Sequence, residues 1–333
     1  MVRWLLILGG LTLLFWVLLR RGVLTKGDIE QALGKLPGGL LLDSELQRIS
    51  LPLNLGQEGE SVDLLYARLD VQATVKSGLR PLLLVHGTPG TMRSWARLAA
   101  APGGLRECFP GRPIYAVELL GHGMAPGGAS QLSFQLCADY LRAGIEALKL
   151  NDVIMVGHSY GGEVAMRTAL DVPERLAALV LVDSAGIARR PEEFLPEEVK
   201  LREWSIASWG YLLNSRERVA SAFAPHFASA PPEQLIDEGY LTLNEAGNWR
   251  AMVDLCRDEN GGRQAELSSL ETSTLLLWGA RDLAYPAERF GQAFLDALPH
   301  ARLEVLADTG HYPMEERPQA FTKSLVRFVA ELR

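Results

Sequence analysis

A serine set between glycines two residues to either side can do one kind of chemistry well. Gly157-His158-Ser159-Tyr160-Gly161 directly follows the apolar run Val153 to Val156 and leads into an amphipathic stretch. That strand, sharp turn and helix form the setting in which such a serine serves as a nucleophile. The turn strains the backbone at Ser159, and side chains at 157 and 161 would collide with neighbouring backbone, so glycine is required at both. A serine hydroxyl is a weak nucleophile near neutral pH. It needs a base to take its proton and an acid to orient that base.

On such a turn the acid and then the histidine follow the serine in the chain. Of six histidines, only His226, His300 and His311 come after Ser159. His226 falls in a segment without strands. His300 precedes the last apolar run, Leu303 to Leu306, and so lies at the wrong end of a sheet. His311 follows that run, in Asp308-Thr309-Gly310-His311, and is the expected base. The expected acid is Asp282, one tight turn after the run Leu275 to Trp278. Asp183, which ends the run Leu179 to Val182, is the alternative, and Asp308 is a lesser one that suits a turn cap. Two backbone amides should stabilise the developing oxyanion. One is that of Tyr160. The other is that of Thr88, in His86-Gly87-Thr88-Pro89-Gly90 after the run Leu82 to Val85, since Pro89 has no N–H. His86, His122 and His158 flank the site and read as loop-holding residues.

The elements that must position these groups are legible as a rhythm. The apolar runs Leu82 to Val85, Ile114 to Leu120, Val153 to Val156, Leu179 to Val182, Leu275 to Trp278 and Leu303 to Leu306 have the length and continuity of strands buried on both faces. Helical stretches lie between them at Phe134 to Leu150, Glu163 to Leu176, Ala287 to Leu298 and Pro318 to Leu332. The alternation predicts a mostly parallel, twisted α/β sheet with helices on both faces. Arg48 to Leu55 and Ser61 to Leu69 read as two further strands. From about 187 to 269 no strand pattern appears. That stretch, with Trp204, Trp209, Phe223 and Phe227, reads as a helical cap whose aromatics pack its own core or line an acyl pocket.

Together these motifs resemble the α/β-hydrolase superfamily, in its capped, serine esterase or lipase-like form. The resemblance rests on His86-Gly87-Thr88-Pro89-Gly90, Gly121-His122-Gly123, Gly157-His158-Ser159-Tyr160-Gly161-Gly162, Trp278-Gly279-Ala280-Arg281-Asp282 and Gly310-His311, and runs from about residue 45 to the end. It implies the α/β-hydrolase fold over 45–333 and a Ser159–His311–Asp282 acyl-enzyme mechanism. The motifs say less about substrate; an aromatic-rich cap and an apolar N-terminal run, read as a membrane anchor, together suggest an apolar or lipid-derived ester. An acyltransferase or thioesterase, a carbon–carbon bond hydrolase and a non-catalytic binding protein are the alternatives. Ser159 stands where dehalogenases of similar build carry an aspartate, which argues against an alkyl-enzyme route.

Composition narrows the rest. In 333 residues the formal charge is −7, with no basic stripe to engage nucleic acid. Cys108, Cys137 and Cys256 are odd in number and widely spaced, so neither a disulfide framework nor a metal site is expected, and no cofactor is. Residues 1–24 hold an uncharged run, Trp4 to Leu19, and residues 25–44 a polar linker with a short helix at Asp28 to Gly34. The run reads as a single membrane anchor. Arg20, Arg21 and Lys26 outweigh Arg3, which places the catalytic domain on the cytoplasmic side. Oligomeric state is left open.

Overall fold

The computed structural model describes residues 25–33, 46–52, 61–70, 76, 78–126, 131–205 and 207–332. Eight strands form one sheet: β1 (Leu46–Leu51), β2 (Val62–Arg68), β3 (Leu82–Val85), β4 (Ile114–Val117), β5 (Val153–His158), β6 (Leu176–Val182), β7 (Thr274–Gly279) and β8 (Ala301–Leu306). Their spatial order is β1-β2-β4-β3-β5-β6-β7-β8. β2 runs antiparallel to both its neighbours, and every pairing from β4 to β8 is parallel. The expected strand Arg48 to Leu55 starts and stops earlier, at Leu46 and Leu51.

Strand period divides the core in two. Leu83, Val85, Met155, Leu179, Leu181, Leu276 and Trp278 face one layer, where they meet Phe134, Tyr140, Phe290 and Phe294. Leu82, Leu84, Ile154, Val156, Val180, Leu275 and Leu277 face the other, against Trp95, Phe321, Leu325 and Phe328. Because both faces are covered, these strands read as unbroken apolar runs and not as alternating ones. The helices lie close to their expected positions: Phe134–Ala147, Tyr160–Asp171, Phe290–Ala297 and Pro318–Glu331. The first starts at Ser133, whose hydroxyl accepts from the Leu136 amide, a standard way to satisfy a free helix-end donor. Helix Arg93–Ala100 was not foreseen. It packs Trp95, Ala96, Leu98 and Ala99 inward behind the first loop.

Between β6 and β7 the described chain holds only helices, among them Pro196–Glu203, Arg216–Phe223, Glu233–Leu243 and Ala246–Asp258. This cap is tied to the sheet layer through Arg97. Its guanidinium donates to Glu238 in the cap at 2.5 Å, and to Glu315 beyond β8 at 2.6 Å. All three side chains are largely buried.

Near the amino terminus a helix covers Lys26–Leu33 and starts with a reciprocal cap: the Thr25 amide donates to Asp28, and the Asp28 amide to the Thr25 hydroxyl. Residues 1–24 and 34–45 lie outside the described residues. Among the described residues no helix is long and apolar enough to cross a membrane. The expected single N-terminal span, the membrane as a partner and the cytoplasmic orientation drawn from that span are corrected accordingly. Trp4 to Leu19 is short in any case: about 16 residues reach roughly 24 Å, against a hydrocarbon core of about 30 Å.

Removing one member of a buried ion cluster leaves its partners charged and unpaired. Arg97→Ala is expected to lower unfolding free energy by about 3–5 kcal/mol, read from urea midpoints. A loss below about 1 kcal/mol would mean that water reaches Glu238 and Glu315.

Candidate active site

β5 delivers Ser159 at the carboxyl edge of the sheet. The backbone there is left-handed, with φ 53° and ψ −124°, a conformation that costs a non-glycine residue on the order of 1–3 kcal/mol. Two glycines allow it. A Cβ on Gly161 would lie 2.1 Å from the His86 carbonyl oxygen, and one on Gly157 would lie 2.5 Å from that of Gly161. The Ser159 amide donates to Val182 at 2.9 Å, and the Ser159 carbonyl accepts from Ala185 at 3.1 Å. The strained residue is thus stitched to the end of β6. Tyr160 begins the following helix, Tyr160–Asp171, where the first-turn amides have no partner within the helix.

The first loop passes directly over this turn. A Cβ at Gly87 would meet that of Ser159 at 2.7 Å, which places the adjoining Thr88 at the mouth of the site. The Thr88 hydroxyl is 2.6 Å from His122 Nε2. His86 is 2.7 Å from Glu118 and 2.8 Å from the Gly87 carbonyl. The Glu118 carboxylate also accepts from the Met92 amide at 3.1 Å.

Beyond β7 and β8 the chain brings Asp282 and His311 together. His311 Nδ1 lies 2.8 Å from Asp282 Oδ2, so Nδ1 donates and Nε2 is left as the basic nitrogen. The amides of Ala284 and Tyr285 donate to Asp282 Oδ1 at 2.8 and 3.2 Å. Burial alone would raise the Asp282 pKa. His311 and the donors outweigh it and hold the carboxyl below its ordinary value. Among the described residues no hydrogen bond joins the Ser159 hydroxyl to His311; their loops are linked instead by His158. Its Nε2 donates to the His311 carbonyl at 2.7 Å, and the two rings are 4.9 Å apart. Burial and the neighbouring His311 push the His158 pKa well down, so it stays neutral.

Asp183, the alternative acid, is in the same cluster and not elsewhere. Its Oδ1 accepts from the Gly279 amide at 2.8 Å. Asp183, Asp282 and His311 offer ligand atoms within 4.8 Å of one another. Burial, then the charge of Asp282, raises the Asp183 pKa well above the usual carboxylate range. Two carboxylates that close do not both ionise readily, so Asp183 is the member that keeps its proton while Asp282 is held ionised. The buried Oδ2 of Asp183 has no hydrogen-bond partner among the described residues. Asp308 lies apart from the cluster, paired with Arg281 on the surface at 2.5 Å.

Sequence reasoning missed how the His311 loop is held. Glu316 accepts from the amides of Gly310 and Tyr312, on either side of His311, and from Ala228 of the cap at 2.8 Å. The His311 amide itself donates to the His226 carbonyl at 2.7 Å. A glutamate five residues beyond the histidine was the available signal, but nothing in sequence says that it turns back. His226 was set aside as a cap residue, yet its ring lies 5.6 Å from that of His311. Burial, then His311, depresses its pKa to about 4. The cap aromatics separate. Phe227 stacks on Tyr312 at 4.8 Å and Phe223 meets the same ring edge-on at 5.9 Å. Trp204 and Trp209 are 54% and 56% exposed, so they are not part of the buried cap core, although Trp209 stacks on Tyr211.

Comparison with known proteins agrees with this architecture. The model of the Alpha/beta hydrolase family matches residues 82–323. Lipase LipV of Mycobacterium tuberculosis is 32% identical over 75% of this chain and 93% of its own. The 2-hydroxymuconate semialdehyde hydrolase of Pseudomonas sp. (strain CF600) is 26% identical over 75% of this chain and 87% of its own. The solved structure of a thermophilic esterase from Thermogutta terrifontis superposes with a TM-score of 0.68, at 22% identity, covering 86% of this chain and 99% of that one.

An unfolded histidine takes up a proton near pH 6.5, whereas folded His226 resists until about pH 4. Stability is therefore intact above pH 6.5, falls as the pH drops through that value, and levels off near 4. His226→Gln should remove roughly 2 kcal/mol of the decline between pH 7 and pH 5. Urea unfolding at both pH values checks this, and equal pH dependence in the two proteins would refute it.

Proposed function

The chain belongs to the Alpha/beta hydrolase family, and from that premise we propose that it is a serine hydrolase cleaving apolar carboxylic esters. One observation carries the reading: an Asp282-oriented His311, with Nε2 free, is bound through His158 to the loop that holds Ser159 in its strained turn. His311 takes the proton of Ser159 as the hydroxyl oxygen attacks the ester carbonyl. The amides of Thr88 and Tyr160 receive the oxyanion. His311 then returns the proton to the departing alcohol, and water, activated by the same imidazole, hydrolyses the acyl-enzyme. Asp282 stays ionised throughout and stabilises the imidazolium. Ser159 and His311 come into contact when substrate fills the site, since catalytic hydrogen bonds often tighten only in the complex.

Apolar substrates are favoured by the similarity to a protein named as a lipase and by the apolar surroundings of His311, where the buried rings of Phe223, Phe227 and Tyr312 pack together. A second reading, carbon–carbon bond hydrolysis on the same residues, draws support from the similarity to 2-hydroxymuconate semialdehyde hydrolase. Loss of a dienoate chromophore on turnover would identify that activity. Thioesterase or acyltransferase chemistry would need only a different leaving group or acceptor.

Ser159→Ala should abolish labelling by a fluorophosphonate and lower kcat for a p-nitrophenyl ester by at least about 10⁴-fold. No labelling of folded wild-type protein would overturn the proposal. In a graded acyl series, medium chains should be cleaved faster than acetate, and the reverse order would count against the apolar assignment. Asp183→Asn and Asp282→Asn separate the two acids. Asparagine at 183 still accepts from Gly279 and, like a protonated Asp183, puts no charge beside Asp282, so kcat at neutral pH should stay within about threefold. Asparagine at 282 misorients His311 and should cost about 10²- to 10⁴-fold. Equal losses would make Asp183 an ionised partner.

A further inference from the structure

Where the last cap helix, Ala246–Asp258, returns to the sheet, the chain buries a carboxylate. Glu259 is 2% exposed. The Tyr160 hydroxyl donates to its Oε2 at 2.9 Å, and the Tyr285 hydroxyl to its Oε1 at 2.7 Å. Arg189 Nη1 is 3.4 Å from both oxygens. The same guanidinium donates to Glu198 at 3.0 and 2.8 Å, and it lies over the rings of Phe194 and Tyr285 at 4.2 and 5.0 Å. Burial, reinforced by the Glu259 charge, lifts both phenols well above their ordinary pKa, so they remain donors.

What the two tyrosines do elsewhere gives this cluster its meaning. Tyr160 is the residue after the nucleophile, and its amide is the proposed oxyanion donor. Its ring is further fixed edge-on to Phe134 at 5.1 Å. Tyr285 holds the acid: its amide donates to Asp282 at 3.2 Å, and its carbonyl accepts from Trp278 Nε1 at 2.8 Å. Its ring lies 5.7 Å from that of His311. The two tyrosines follow different strands, Tyr160 at the start of the helix after β5 and Tyr285 in the turn after β7, and β6 runs between those strands. One carboxylate at the cap's exit spans that gap. For stability alone, a buried ionic cluster of this kind gives little advantage over apolar packing of the same volume. It does fix distances between the groups that it joins.

We propose that Glu259 is a positioning residue, tethering Tyr160 and Tyr285 so that the oxyanion amide and the Asp282–His311 pair keep their mutual alignment when the cap is seated. The assignment rests on the serine-hydrolase reading and deepens it. Glu259 contacts no reacting atom, so its effect falls on the rate of the chemical step and not on ground-state binding. Small misplacements of such groups cost up to about a hundredfold in rate.

The test uses the full chain and a p-nitrophenyl ester, with fold checked by circular dichroism and urea unfolding. Glu259→Ala should lower kcat by about ten- to a hundredfold, with KM within about threefold. Glu259→Gln keeps one acceptor oxygen and should recover much of the loss. Tyr160→Phe and Tyr285→Phe, which keep ring and backbone amide, should each lower kcat about fivefold. Combined with Glu259→Ala, neither should lower it further, because the hydroxyls act through the carboxylate. A folded Glu259→Ala protein with wild-type kcat, a loss confined to KM, or additive effects in the double variants would overturn the proposal. Should Glu259→Ala fail to fold, the two Phe variants decide: unchanged kcat in both refutes it, and the expected drop upholds it. These outcomes differ from failure of the underlying reading, in which wild-type protein would cleave no ester and take up no fluorophosphonate, and this inference would fall with it.

Discussion

An ionised carboxylate buried beneath a sheet edge is expensive, and much of the loop structure at this end of the molecule exists to make Asp282 tolerable there. An isolated charge in such a place would neutralise. Asp282 instead accepts from the imidazole of His311 and from the amides of Ala284 and Tyr285, and its neighbour Asp183 keeps its proton and adds no second charge. Each of these groups has to arrive from a different place. Ala284 and Tyr285 come from the turn after β7, His311 from the loop after β8, and Asp183 from the end of β6, which Gly279 pins in turn. The parallel sheet brings three adjacent strand ends to one point, and the buried charge converts that coincidence into a defined geometry.

The same edge holds the opposite kind of cost, backbone strain. Ser159 persists at positive φ because the structure around it leaves no room for relaxation. The His86 carbonyl packs on Gly161, while Val182 and Ala185 hold the Ser159 backbone from the β6 side. His158, in the same turn, reaches across to the His311 carbonyl. Its depressed pKa matters here: a neutral ring puts no positive charge beside the imidazole of His311.

Much of this was legible from residue order. Apolar runs gave β3, β5 and β7 to within two residues at either end, because strands buried on both faces leave an unambiguous pattern; β6 starts three residues before its expected run, at Leu176. Elimination by chain order selected His311, and the structure places its Nδ1 2.8 Å from Asp282. The remainder was illegible for physical reasons. The partners Asp183 and Asp282 are 99 positions apart in the chain, and which of two neighbouring acids keeps its proton depends on desolvation that no pattern encodes. The Glu316 carboxylate turns back onto backbone amides, a contact made by main chain and therefore silent in the sequence. The exposure of Trp204 and Trp209 went against the expectation from hydrophobicity, since aromatic character does not say which side of a cap helix faces the sheet.

How the cap is fastened bears on why its position is so well defined. Apolar surfaces slide over one another at little cost, whereas a charge out of register is left unpaired in a dry environment, at several kcal/mol. Two such clusters secure the cap. Arg97 joins Glu238 of the cap to Glu315 beyond it, and Glu259, paired with Arg189 within the cap, accepts from the hydroxyls of Tyr160 and Tyr285 outside it. The first lies behind the loop that follows His311, and the second behind Tyr160 and Tyr285. Apolar contacts such as Phe227 on Tyr312 fill the space between them. Packing then gives the interface its area, and the two ionic clusters give it one register. That division of labour suits a site in which Asp282, His311 and the turn of Ser159 follow separate strands and gain their alignment from what is laid across them.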